Sequence, residues 1–230
     1  MEINSNVVQE KSKNICENNH ESVKGFIWTQ KKFDESNVET LKTEFNIDKS
    51  IAKLAASRGI KASNYKEFID PKLKYLMPDP ALIDDMEKAT KKIIEMIYKK
   101  KKIGILGDYD VDGSSATALF CNYLEDIGVS YEFYIPDRIK EGYGPNIHAL
   151  RELKEKNCEL ILTLDCGTTA IDSINKISNE GVDVIVVDHH MESKVSPNAF
   201  AIVNPKKKSD KSDLENLCAT GVVFFLLTSV

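Results

Sequence analysis

Three apolar runs limit what this chain can fold into: "KIGIL" (102–106), "LILTL" (160–164) and "VDVIVV" (182–187). Each is too short for an ordinary helix and stands between stretches with helical spacing. Strands that are apolar on both sides must be covered on both sides, which is the pattern of a parallel sheet flanked by helices. "VSYEFYI" (129–135), which alternates, and "AFAIV" (199–203) read as two further strands. The helices between them show apolar faces. Met86, Ala89, Ile93, Ile94 and Ile97 share one face in 84–100, and Ala116, Leu119, Phe120, Tyr123, Leu124 and Ile127 share another after the first strand. Residues 147–156 form a third helix, and Ala170, Ile171, Ile174 and Ile177 line a fourth. The expected class is α/β: a mostly parallel sheet with helices on both faces, preceded by a short helical segment.

That preceding segment has a different rhythm. Residues 1–22 are polar and are expected to form a disordered tail. "DKSIAKLAASRGI" (48–60) and "ASNYKEFI" (62–69) have helical spacing, with Ser63 the expected cap of the second. "PKLKYLMPDPALIDD" (71–85) carries three prolines and reads as a linker. The domain organisation expected is a tail over 1–22, a helical leader and linker over 23–80, and the α/β domain over 81–230.

Composition sets the class without naming a function. With 230 residues, 42% of them apolar, the chain can bury one sizeable core or two small ones. A net charge of −5 carries no overall signal of nucleic-acid binding, and the lysine clusters "YKKKK" (98–102) and "PKKKSDK" (205–211) read as solvated surface. The cysteines (Cys16, Cys121, Cys158, Cys166, Cys218) are scattered and contain no CxxC, which argues against a disulfide framework or a zinc site. The start lacks a signal-peptide core, and "GVVFFLL" (221–227) is too short to span a bilayer. The expectation is a soluble, cytoplasmic protein with no membrane partner.

Chemistry collects where the apolar runs stop. "KIGIL" leads into "GDYDVDG" with Asp108, Asp110 and Asp112, "LILTL" leads into Asp165, and "VDVIVV" leads into Asp188, His189 and His190. In an open parallel sheet the carboxyl ends of the strands share one edge, and ligands bind there. Crowded carboxylates repel one another and resist desolvation unless something positive sits among them. Oxygen ligands with imidazole suit manganese, magnesium or iron, and four or more carboxylates with two imidazoles exceed the needs of one ion, so two ions are expected. A calcium loop is a poor alternative, because its twelfth position counted from Asp108 is Leu119, where glutamate is required. Asp165 alone would also serve as a cap for a helix starting near Thr168. Neighbours in an extended chain point in opposite directions, so His189 and His190 are expected to diverge, one toward a metal and the other toward a second metal or a substrate phosphate. The sequence has neither GxGxxG nor GxxxxGK[ST], leaving glycine-loop nucleotide binding unsupported.

These motifs resemble the DHH phosphoesterase superfamily: "DVD" within "GDYDVDG", "LDCGTT" and "VDHH". Within it, "LAASRGI", "FIDPKLKYLMPDPALIDDMEKA", "PDRIKEGYGPN", "AIVNP" and "LCATGVVF" resemble the RecJ-type single-stranded-DNA-specific exonucleases, over residues from about 28 to 230. The resemblance implies hydrolysis of single-stranded DNA from its 5′ end, releasing mononucleotides, in repair and recombination. It implies two ions of Mn2+ or Mg2+, with single-stranded DNA, a helicase and a single-strand-binding protein as partners. Carried over by position, Asp110, Asp112, Asp165 and His189 are the implied metal ligands, with Asp108 a ligand or directly behind one. Asp110, Asp165 and His190 form the implied catalytic set, and Arg138 and His190 the contacts to substrate phosphate. One departure is Leu106, where some relatives carry a histidine.

The resemblance also implies a further metal-binding Asp and further domains beyond "CATGVVF", so the chain is expected to be an incomplete portion of such an enzyme, with weak metal binding and little exonuclease activity by itself. Two alternatives stand beside this reading. One is a phosphodiesterase or pyrophosphatase acting on a small nucleotide, which the long leader before the first acidic strand disfavours. The other is a catalytically inactive replication scaffold, which the intact acidic motifs disfavour.

Overall fold

The computed structural model describes residues 23–26 and 31–230, so the tail expected over 1–22 lies outside the described residues. The chain divides into two compact units, Met1–Met77 and Pro78–Val230.

The first unit contains α1 (Glu35–Phe45), α2 (Lys49–Ala56), α3 (Ala62–Ile69) and the single turn α4 (Leu73–Leu76). Asp34 and Asp48 cap the first two helices by accepting from the N–H groups of Ser36 (2.9 Å) and Ser50 (2.7 Å). Val38, Leu41, Ala52, Ala55, Ala56 and Tyr65 form the core, where three alanines on α2 permit close packing against α1. Ser63 is not the cap of α3. That helix begins at Ala62, so Ser63 already lies in its first turn, and Asn64 instead accepts from the Lys61 N–H at 2.8 Å.

The second unit opens with a 3-10 turn at Pro80–Leu82 and continues through α5 (Met86–Tyr98), β1 (Ile103–Gly107), α6 (Val111–Asp126), β2 (Tyr131–Tyr134) and α7 (Ile147–Glu155). It then runs through β3 (Leu160–Leu164), α8 (Ile171–Asn179), β4 (Asp183–Val187), β5 (Ala201–Val203) and α9 (Ala219–Ser229). The sheet order is β2-β1-β3-β4-β5, and every neighbouring pair is parallel. The fold is the expected α/β class, with a helical N-terminal segment.

Strand periodicity sorts the core into two layers. Leu106, Ile161, Val184 and Val186 pack with Leu150 and Leu153 of α7 and Ile174 and Ile177 of α8. The alternate residues Ile103, Ile105, Leu162, Leu164, Ile185 and Val187 are also fully buried and face the opposite way, toward the layer of α5, α6 and α9. Because α6 leaves β1 on one face and α7 and α8 cover the other, the winding reverses between β1 and β3. That reversal is the ligand-binding switch point of a doubly wound sheet. Among the described residues no helix is long and apolar enough to cross a membrane.

Candidate metal centre

Asp108 follows β1 directly and is 4% exposed. Its burial depends on glycine: a Cβ on Gly113 would fall 2.5 Å from the Asp108 Cβ and 2.8 Å from its backbone, so only glycine lets the first turn of α6 fold back over it. Asp110 is the cap of α6, accepting from the Gly113 N–H at 2.9 Å. The second Gly of "GDYDVDG" therefore serves both carboxylates.

Asp165 follows β3 and is 1% exposed. Its N–H continues the ladder by donating to Val187 (3.0 Å), but its φ of 62° is left-handed, a conformation that disfavours a side chain. It is not a helix cap, since α8 starts only at Ile171. The N–H of Thr168 donates instead to Oδ2 of Asp188, at 3.0 Å.

The three buried carboxyls differ in acidity. Asp108 and Asp165 each leave Oδ1 buried and without a hydrogen-bond partner. Burial pushes both carboxyls up. Asp165 reaches about 7, with the nearby charges of Asp112 and Asp110 adding to the effect. Burial acts on Asp188 too, but hydrogen bonds from His190 and Thr168 outweigh it and hold that carboxyl down at about 2.

The two histidines do not diverge. Beyond Val187 the chain leaves the extended conformation and turns around Oδ1 of Asp188, which accepts from the N–H groups of His189 (2.7 Å) and His190 (3.1 Å) and pairs with His190 Nδ1 (2.7 Å). Both rings approach the same carboxylate: His189 Nε2 lies 3.3 Å and His190 Nδ1 3.9 Å from Asp165 Oδ1. Strand alternation does not apply to a turn, which corrects the argument for divergence.

Among the described residues potential ligand atoms form two groups, Asp165 with His189 and His190, and Asp108 with Asp110 and Asp165, each within 4.8 Å. Asp165 belongs to both. Asp112 stands outside them, with its carboxylate accepting from the N–H of Ala219 (2.7 Å) and from the N–H (2.8 Å) and hydroxyl (2.7 Å) of Thr220. Arg138 is exposed and makes no ion pair among the described residues; its guanidinium lies 5.0 Å from the centre of the Tyr109 ring. Some polar neighbours of the site were not singled out in the sequence. Tyr143 donates to the carbonyl of Asp165 (2.9 Å) and lies 3.2 Å from His190 Nδ1. Asn204 donates to Thr168 Oγ1 (2.9 Å) and to the carbonyl of His190 (2.9 Å). Thr168 and Asn204 lie in "LDCGTT" and "AIVNP" beyond β3 and β5, and that position past a strand end was the available clue.

The orphaned Oδ1 atoms of Asp108 and Asp165 are the direct test of whether a cation fits. A buried carboxylate oxygen with no donor costs about 1–3 kcal/mol, more when charged. Hard oxygens with imidazole nitrogen beside them are a suitable donor set for a divalent ion.

Fold and site together define a doubly wound α/β protein with an acidic, imidazole-bearing rim at its switch point. The model of the DHH family, N-terminal domain, matches residues 102–229, and the chain belongs to that family. It is 35% identical over 200 residues to the single-stranded-DNA-specific exonuclease RecJ of Bacillus subtilis (strain 168), a match covering 86% of this chain and 25% of that protein. It resembles the crystal structure of RecJ from Thermus thermophilus in complex with Mn2+, with a TM-score of 0.69 and 27% identity over 85% of this chain and 27% of that one. A second structure, exonuclease RecJ bound to manganese, aligns with a TM-score of 0.58 and 33% identity over 64% of this chain and 37% of that one. The chain thus spans about a quarter of the length of the Bacillus relative.

Proposed function

We propose that this chain carries the metal-binding half-site of an exonuclease that hydrolyses phosphodiester bonds of single-stranded DNA from the 5′ end and releases mononucleotides. The observation that carries the reading is the convergence of the unpartnered Oδ1 atoms of Asp108 and Asp165 with His189 and His190 at the β1/β3 edge. The likeness to RecJ exonucleases supports the substrate class, and the manganese in two of those structures supports Mn2+, or its analogue Mg2+, as the ion. Asp108, Asp110, Asp165 and His189 are the residues to hold the ions, with Asp165 shared between two positions and Asp112 a contributor through the side facing His189. Divalent ions held there would acidify a water and neutralise charge on the phosphate and the leaving oxygen.

The rest of the chemistry belongs to the side chains. Asp188, held ionised, accepts a 2.7 Å hydrogen bond from Nδ1–H of His190, and that bond raises the imidazole's pKa. His190 therefore holds its charge to a higher pH than an ordinary imidazole and would present Nε2–H to a phosphate oxygen. The Tyr143 hydroxyl lies 3.2 Å from the same Nδ1. Arg138, steadied on Tyr109, is placed to grip a second phosphate bidentately. Residues 81–230 form the phosphoesterase domain on this reading and 23–80 its leader. A role in repair, a helicase and a single-strand-binding protein as partners, and a cytoplasmic setting rest on the resemblance alone.

The test is release of labelled mononucleotides from 5′-labelled single-stranded DNA in millimolar manganese, by the chain and by its Asp165→Ala variant, with a cyclic dinucleotide as comparator. Because the readout is the difference from the variant, a slow rate suffices. Metal-dependent release from DNA that the variant lacks supports the proposal. Cleavage of the dinucleotide alone favours a small-nucleotide phosphodiesterase, and inactivity on both together with no metal binding favours a scaffold.

A further inference from the structure

Asp112 and His189 are tied to one short turn far away in sequence. Helix α9 has no side-chain cap of its own: its N-cap residue, Cys218, makes no capping hydrogen bond. The free N–H groups of Ala219 and Thr220 donate to Asp112 instead, at 2.7 and 2.8 Å, so a carboxylate 107 residues earlier acts as the cap. The Thr220 hydroxyl bonds both to Asp112 Oδ1 (2.7 Å) and to its carbonyl (3.0 Å). One residue before the cap, the carbonyl of Leu217 lies 3.1 Å from His189 Nδ1.

Each contact selects one atom for the site. A carboxylate has about four acceptor positions. Oδ1 takes two donors from Thr220, whereas Oδ2 takes only Ala219 and lies 3.6 Å from His189 Nε2. The Cys218 thiol adds a further weak donor to this carboxylate. A carbonyl can only accept, so Leu217 requires a proton on His189 Nδ1, which leaves the lone pair on Nε2. That atom faces Asp112 and Asp165.

We propose that the Leu217–Thr220 turn is the positioning element of the centre, orienting Asp112 to offer Oδ2 and fixing His189 as the Nδ1–H tautomer that offers Nε2. The inference rests on the reading of Asp112 and His189 as metal ligands. Thr220 touches neither ion nor substrate; it acts through Asp112. Partners of this kind are worth about 10–100-fold in metal affinity.

The experiment uses the whole chain and manganese alone. Calorimetric titration, well below the unfolding temperature, compares wild type with Thr220→Val and Thr220→Ser. Thr220→Val should bind about tenfold more weakly, and Thr220→Ser should restore binding, a rescue that a merely structural effect on α9 would not give. Separately, nitrogen NMR of the metal-free chain, with the His189 signals assigned by their loss in His189→Gln, should show the proton on Nδ1. Wild-type affinity in Thr220→Val overturns the role of Thr220 while leaving the ligand reading intact. If wild type binds no manganese the ligand reading fails, and the tautomer then decides the turn's role: a proton on Nε2 overturns it.

Discussion

Oδ1 of Asp165 and Nε2 of His189 lie 3.3 Å apart, although they follow different strands. The carboxyl is pushed up to about 7 by burial and by the charges of Asp112 and Asp110. In the metal-free chain below about pH 7 it therefore holds a proton that a cation must displace.

Manganese binding should accordingly release a proton and weaken as pH falls from 8 to 6. Calorimetry in two buffers of different ionisation enthalpy reads this as buffer-dependent heat at pH 6.5 that fades by pH 8. Affinity independent of pH across that range would contradict the protonated state assigned to Asp165.

The same carboxyl sets a stability slope with a definite sign. Its ordinary pKa of 3.8 rises to about 7 in the fold, so between those values the native state binds more protons than the unfolded chain. Stability of the metal-free chain should fall as pH rises from about 4 to about 7 and then level off. Asp165→Asn removes that penalty and should exceed wild type by on the order of 2 kcal/mol at pH 8, with the gap closing toward pH 4. Urea denaturation at the two pH values measures it, and a gap that does not change with pH would count against it.

Gly113→Ala should damage both fold and site. The new methyl meets Asp108 backbone atoms at 2.8 Å, which cannot move aside as a side-chain end could. Overpacking of this kind costs about 1–3 kcal/mol. Manganese affinity should fall as well, because Asp108 is displaced and the Gly113 N–H that orients Asp110 moves with it. Unchanged thermal unfolding would show that the α6 turn accommodates a side chain.

His189→Ala and His190→Ala should separate binding from turnover. His190 Nδ1 is committed to Asp188, so losing this ring removes a phosphate contact, whereas His189 Nε2 faces Asp165 and Asp112. The first variant should lose mainly manganese affinity and the second mainly nucleotide release, in parallel titrations and assays. Equal loss of metal in both would erase the division.

Much of this was legible in the sequence. "KIGIL", "LILTL" and "VDVIVV" are apolar on both sides and became β1, β3 and β4 within a residue of their ends. Because the sheet is parallel, Asp108, Asp165 and Asp188 necessarily share an edge. The hidden features depend on contacts distant in sequence or on turns. Asp112 reads as one more carboxylate in "DYDVDG", and nothing local reveals that Thr220 and Ala219 are its donors. His189 and His190 look like a strand continuation, yet a carboxylate just before them bends the chain and brings both rings to Asp165. Ser63 has the right chemistry for a cap, but Asn64 takes the task because the helix starts two residues earlier than a Ser63 cap requires.

The most direct test of the metal centre is calorimetric titration of manganese into wild type, Asp110→Ala and Asp165→Ala at pH 7.5, with circular dichroism confirming that each remains folded. Saturable binding by wild type, lost or weakened at least tenfold in both variants without loss of secondary structure, is the predicted result. Wild-type affinity in both variants would contradict the assignment of Asp110 and Asp165, and with it the site on which the proposed hydrolysis depends.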